Sequence, residues 1–88
     1  MKTFNLRIST PEGDAFNGDV IKISLRGTEG DLAVMAGHIS FATAVKPCDC
    51  KLEFEDGTER LAHTDGGLLN VSSENVIYLC GEFNFLNN

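Results

Sequence analysis

Ile21-Lys22-Ile23-Ser24-Leu25-Arg26, followed by Gly27-Thr28-Glu29-Gly30 and then by Leu32 and Val34, is the stretch that decides the fold. Apolar and polar residues alternate with a period of two. Ile21, Ile23 and Leu25 therefore share one face of an extended strand, and Lys22, Ser24 and Arg26 the other. The glycine-flanked tip ends the strand and returns the chain as its neighbour. The same pattern continues outwards. Upstream, Phe4, Leu6 and Ile8 alternate with Thr3, Asn5, Arg7 and Ser9 until Thr10-Pro11-Glu12-Gly13 supplies a turn. Downstream, Gly37-His38 marks a break, and Ile39 to Val45 reads as a short strand or a single helical turn. Lys46-Pro47 closes it, because proline cannot donate to a ladder.

Leu52 and Phe54 then alternate with Lys51, Glu53 and Glu55, and Asp56-Gly57 predicts a hairpin with a type I′ turn. Thr58 to Thr64 is the return strand, and Asp65-Gly66-Gly67 turns the chain into Leu68 to Val71. A loop over Ser72-Ser73-Glu74-Asn75 leads to the near-continuous apolar strand Val76 to Cys80. Phe83, Phe85 and Leu86 suit a last short strand. No window carries a long amphipathic helix. The pattern is a β-meander of about eight to ten short strands, which predicts an all-β sandwich or barrel.

The totals fit one domain. Eighty-eight residues are too few for two cores, and a hydrophobic fraction of 42% is ordinary for a folded chain. Thirteen acidic against seven basic side chains give a formal charge of −6, a sign that repels phosphate backbones and anionic lipid. The apolar runs are far shorter than the roughly 20 residues that cross a bilayer. Met1 to Asn5 lacks a signal-like apolar region, so the expectation is a cytoplasmic chain. A core this small has a thin stability margin, and with no staple in view that favours an assembly.

Candidate chemistry is sparse. The three cysteines, Cys48, Cys50 and Cys80, are an odd set for a disulfide scaffold. Cys48-Asp49-Cys50 lacks the usual zinc spacing, with His38 or His63 as the only histidine ligands. On a strand, Cys48 and Cys50 share a face with Leu52 and Phe54, as small buried hydrophobes do. A thiol–imidazole pair of His38 with Cys48 or Cys50 has no local support against an exposed loop histidine. Glu53 and Glu55, beside Lys51, read as a solvated strand face. Neither glycine-bearing turn opens a helix, so neither is a phosphate loop. No catalytic residue, metal or cofactor is expected. Two loops suit protein contacts instead. Gly27 to Asp31 is an acidic tip fit to meet a basic or polar loop, and Gly37-His38-Ile39-Ser40-Phe41 places an imidazole and an aromatic beside a glycine.

Taken in order, Thr10-Pro11-Glu12-Gly13, Phe16, Gly18, Gly27-Thr28-Glu29-Gly30-Asp31-Leu32, Gly37-His38 and Thr43-Ala44-Val45-Lys46-Pro47 resemble the epsilon subunits of F-type ATP synthases. Gly66-Gly67-Leu68-Leu69-Asn70-Val71 and Val76-Ile77-Tyr78-Leu79 resemble that family's last strands. The resemblance implies a flattened ten-stranded β-sandwich, with residues 1–88 forming the N-terminal domain. It implies a non-catalytic rotor component that fastens the gamma subunit to the ring of c-subunits at the cytoplasmic face of the membrane. The ring-facing set falls on Gly27, Thr28, Glu29, Gly30, Asp31 and Leu32. The gamma-facing set falls on Thr10, His38, Ile39, Phe41 and Thr43.

Ala36 and Ser40 stand where members commonly have proline, and Cys48 where glycine is usual. Many members also carry two C-terminal helices that restrain ATP hydrolysis. This chain stops at Asn88, so the expectation is a coupling role without that brake. Two alternatives stay open: a free-standing interaction module, because fold does not fix function, and a small cysteine-based metal binder.

Overall fold

The computed structural model describes residues 2–73 and 75–86. Ten strands carry them: β1 (Phe4–Thr10), β2 (Gly13–Val20), β3 (Lys22–Gly27), β4 (Gly30–Met35), β5 (Phe41–Val45), β6 (Cys48–Glu53), β7 (Glu59–Thr64), β8 (Gly67–Val71), β9 (Asn75–Cys80) and β10 (Phe83–Phe85). The described residues contain no helix. The expectation of a strand or a helical turn before Val45 thus resolves as strand β5. Glu74, within the predicted loop, lies outside the described residues, and Asn75 already belongs to β9.

Four hairpins, β1–β2, β3–β4, β6–β7 and β8–β9, are antiparallel as the turn residues predict. The topology is not a simple meander, however. β3 also pairs with β6 through Lys22–Ser24, and β1 lies parallel to β9, with Leu6 beside Val76 and Ile8 beside Tyr78. Between β3 and β5 a single pair, Gly27 with Val45, keeps the sheet continuous. There it folds over into two five-stranded layers, β4-β3-β6-β7-β10 and β5-β8-β9-β1-β2. Both layers turn their apolar alternates inward.

The core between them includes Leu6, Ile8, Val20, Ile23, Leu52, Leu69, Val76 and Tyr78, all essentially without solvent contact. Burying each aliphatic side chain contributes on the order of 1.5–3 kcal/mol. Cys50 and Leu52 are buried and Cys48 and Phe54 half-buried, the shared inner face their spacing predicts. The layers' far edges, β2 and β10, are drawn together by aromatic rings: Phe16 meets Phe85 edge-on at 6.3 Å and Phe54 at 6.0 Å.

The β6–β7 turn differs from the expected type I′, which needs positive φ at both central residues. Here only Gly57 has positive φ (90°). The Gly57 N–H donates to the Phe54 carbonyl and the Phe54 N–H to the Thr58 carbonyl, which makes a three-residue loop. Asp56 drives the change. Its Oδ1 accepts from the Thr58 N–H at 2.9 Å and the Thr58 hydroxyl at 2.7 Å, holding its own backbone out of the left-handed region. Those bonds hold the Asp56 carboxyl below its usual range.

Gly67 answers to packing. A Cβ there would stand 2.0 Å from the Leu79 carbonyl oxygen, so β8 can pair this closely with β9 only without a side chain.

Candidate functional site

The acidic tip is built by the β3–β4 hairpin. Thr28 and Glu29 form its end, and Arg26 and Asp31 face each other across it, with Nε to Oδ1 at 3.1 Å. Both side chains are exposed, so the ion pair contributes at most about 1 kcal/mol, yet it claims Asp31 as a partner. Among the described residues Glu29 enters no ion pair, which makes it the more available of the two carboxylates.

The tip is not isolated. Gly27 to Leu32 share a cleft of about 320 Å³ with Phe41, Ala42 and Thr43 of β5. The candidate ring-facing set and part of the candidate gamma-facing set therefore lie side by side. The fold-over at Gly27 and Val45 brings them together.

The other candidates lie apart. Thr10 closes the β1–β2 hairpin, its hydroxyl donating to the Gly13 carbonyl at 2.9 Å and accepting from the Glu12 N–H at 3.2 Å. It lines a second cleft with Glu12, Asp14 and Glu82. Ile39 is 82% exposed on the β4–β5 loop. His38, expected as an exposed loop residue, is half-buried instead. Its Nδ1 lies 2.5 Å from the Met35 carbonyl oxygen and its Nε2 2.6 Å from that of Ser72, with the Phe4 ring edge-on at 5.6 Å.

The two outer faces differ in character. On the first layer, Arg26–Asp31, Lys22–Glu53 and Lys51–Glu59 form cross-strand ion pairs, and the His63 ring meets the Asp49 carboxylate at 2.8 Å. The second layer carries an apolar row that the candidate list missed. Ala44 pairs with Leu68, Leu68 with Leu79, and Leu79 with Ser9. Leu68 and Leu79 are 52% and 50% exposed, and Ile77 is exposed in the next row. The row's end residues Ala44 and Ser9 are chain neighbours of Thr43 and Thr10, whose side chains alternate to the other face of the layer. A signal was present: Leu68-Leu69 and Val76 to Leu79 are adjacent apolar residues. In a sheet with one wet face, half of such a run must point outward.

The thiols face inward. Burial pushes the Cys50 thiol up to about 12, with Cys48, Cys80 and Asp49 adding to the effect. Burial also raises Cys80 and the Tyr78 phenol. A thiolate nucleophile is disfavoured in such surroundings. His38 is committed to backbone carbonyls, and His63 projects outward to Asp49, on the face opposite Cys48 and Cys50. Glu53 and Glu55 do not share a strand face: Glu53 pairs with Lys22, and Glu55 lies in the turn. No three cysteine, histidine or acidic side chains converge as a metal site among the described residues.

Residues 3–84 match the family described as ATP synthase, delta/epsilon chain, β-sandwich domain. The ATP synthase epsilon chain of Clostridium novyi (strain NT) is 39% identical over 79 residues, which are 90% of this chain and 60% of that relative. The chain thus spans about 60% of that relative's length. A chain in the structure of the Euglena gracilis mitochondrial ATP synthase, OSCP/F1/c-ring, superposes over 94% of this chain and 53% of its own length, with a TM-score of 0.89 at 22% identity. One in the central stalk/c-ring of the Tetrahymena thermophila mitochondrial ATP synthase superposes over 93% and 66%, with a TM-score of 0.78 at 13% identity. At such identities the two structures speak for the fold. With a family match across nearly its whole length, the chain belongs to the ATP synthase delta/epsilon β-sandwich family.

Proposed function

We propose that this chain is a non-catalytic central-stalk subunit that couples the gamma shaft of an ATP synthase to its membrane c-ring. In this reading residues 1–88 act as one N-terminal β-sandwich domain, held at the cytoplasmic face of the membrane through the complex. The observation that carries it is the outer-face row Ala44–Leu68–Leu79–Ser9, which crosses β5, β8, β9 and β1. Apolar side chains half-exposed in a row on one sheet face suit a protein partner. The gamma subunit is assigned to this face and to Thr10, His38, Ile39, Phe41 and Thr43 at its margins. The c-ring is assigned to the tip Gly27 to Leu32, where Glu29 offers a carboxylate to a polar or basic loop. The mixed-charge outer face of the other layer is left to solvent.

Charge reversal at the tip tests this. Glu29→Lys should weaken ring docking more than Asp31→Lys, because Asp31 is already paired with Arg26. Glu29→Lys/Asp31→Lys should uncouple ion flow from ATP synthesis in membranes while the domain stays folded and bound to gamma. Unchanged coupling and ring retention in the double variant would rule out the tip as the ring contact.

A further inference from the structure

We infer that Asn70, at the centre of the second layer's outer face, selects the partner surface that docks there, through a hydrogen bond within an otherwise apolar contact. The inference rests on the reading that gamma covers this face, and it names what gamma must present: an uncharged, apolar surface with one hydrogen-bonding group opposite Asn70.

The face is marked by what it lacks. The chain has thirteen acidic and seven basic side chains, yet no residue of β5, β8 or β9 is charged. In the other layer β3, β4, β6 and β7 each carry charge. A sheet face left to water alternates apolar-in with polar-out, and depletion of charge is the compositional mark of an interface core. Here the outward residues include Ala42 and Ala44 on β5, Leu68 and Asn70 on β8, and Ile77 and Leu79 on β9, all exposed. Charge first appears beyond β9, where the Arg7 Nε on β1 donates to both Asp14 carboxylate oxygens on β2 at 3.1 Å.

Strand pairing sets Asn70 between Ala42 on one side and Ile77 on the other, with Leu68 two residues away along its own strand. The fold has no use for an amide in this position. Asparagine is a poor strand former, and this side chain is exposed and, among the described residues, enters no hydrogen bond. In the free chain water satisfies it. A wholly apolar partner would strip that water and leave both the amide's donor and its acceptor unpaired, which weakens binding. A peptide group or side-chain amide opposite Asn70 answers both functions, because asparagine donates and accepts. The flat apolar residues around it tolerate many docked registers. The amide is satisfied in one, and the others are penalised.

The test is calorimetric titration of purified gamma subunit into the 88-residue chain and into its Asn70→Ala and Asn70→Leu variants. Asn70→Ala removes the amide without adding bulk, and Asn70→Leu replaces it by an apolar group of similar size. Both should bind gamma about tenfold more weakly, or about 1.4 kcal/mol, because a polar group of gamma loses its partner. Asn70→Leu should unfold at no lower urea concentration than wild type, since the position is exposed and leucine suits a strand at least as well. Asn70→Leu binding gamma as tightly as wild type, or more tightly, overturns the inference alone. A lowered urea midpoint that accounts for the lost affinity overturns it too, because the amide would then serve the fold. A wild-type chain that does not bind gamma overturns the gamma reading as well.

Discussion

Replacing Thr64 by valine should destabilise this domain more than deleting the larger polar group it serves. Among the described residues Thr64 is the buried polar residue of the core, with no solvent contact. Its hydroxyl donates to the Glu82 carbonyl at 3.2 Å and accepts from the Gly66 N–H at 3.2 Å. With its single hydrogen committed, it accepts from the Tyr78 hydroxyl at 2.7 Å, and Tyr78 is fully buried too. Tyr78→Phe removes one bond and strands nothing, because Thr64 keeps its other partners, so the cost is about 1 kcal/mol. Thr64→Val conserves shape but strands the Tyr78 hydroxyl and the Gly66 N–H. At roughly 1–3 kcal/mol per orphaned group, the total is about 2–4 kcal/mol. For a small domain with a stability of the order of 5 kcal/mol, that is most of the margin. Urea unfolding followed by circular dichroism reads this directly. With a slope on the order of 1 kcal/mol/M, the midpoint should fall by about 2 M or more for Thr64→Val and about 1 M for Tyr78→Phe. The double variant should be no worse than Thr64→Val alone, because it removes the stranded hydroxyl. Thr64→Val costing no more than Tyr78→Phe, or strictly additive effects, would refute the network.

Gly67→Ala should cost about 3 kcal/mol, since its Cβ would overlap the Leu79 carbonyl and force β8 from β9. Gly18→Ala, which meets only the Phe16 ring at 3.2 Å, should stay within about 1 kcal/mol of wild type by thermal unfolding. The Cys50 contribution to stability should be level below pH 9 and fall from about 9 towards about 12. The native state keeps the Cys50 proton that the unfolded chain releases above its ordinary value of 9.0. Cys50→Ala should make that alkaline limb shallower in pH-dependent urea titrations. Leu68→Lys/Leu79→Lys should change stability by no more than about 1 kcal/mol, both positions being half-exposed, while abolishing capture of the gamma subunit. Retained capture would remove the apolar row from the interface.

Strand phase was legible wherever one face is wet. Phe4, Leu6 and Ile8, or Ile23 and Leu25, are buried as their alternation predicts. Phase failed as a guide in Val76 to Cys80. There both faces are apolar, and only the sheet decides that Ile77 and Leu79 point out. The parallel contact of β1 with β9 has no local signature, because its backbone ladder joins residues about 70 positions apart in sequence. Asp56-Gly57 correctly marked a hairpin, but the aspartate's bonds to Thr58 chose its geometry. The acidic tip could be read as a tip, whereas its cleft with Phe41 and Thr43 depends on the fold-over at Gly27 and Val45. His38 was conspicuous in sequence, yet what it holds is defined by Ser72, a residue no local pattern links to it.

The central claim, a stalk subunit seated between shaft and ring, is tested most directly by gentle affinity capture of the tagged chain from detergent-solubilised membranes of its own cells. Gamma and c-subunits should co-purify with it in fixed proportion, and both should be recovered at physiological salt. Recovery of the folded chain with neither subunit would contradict the claim.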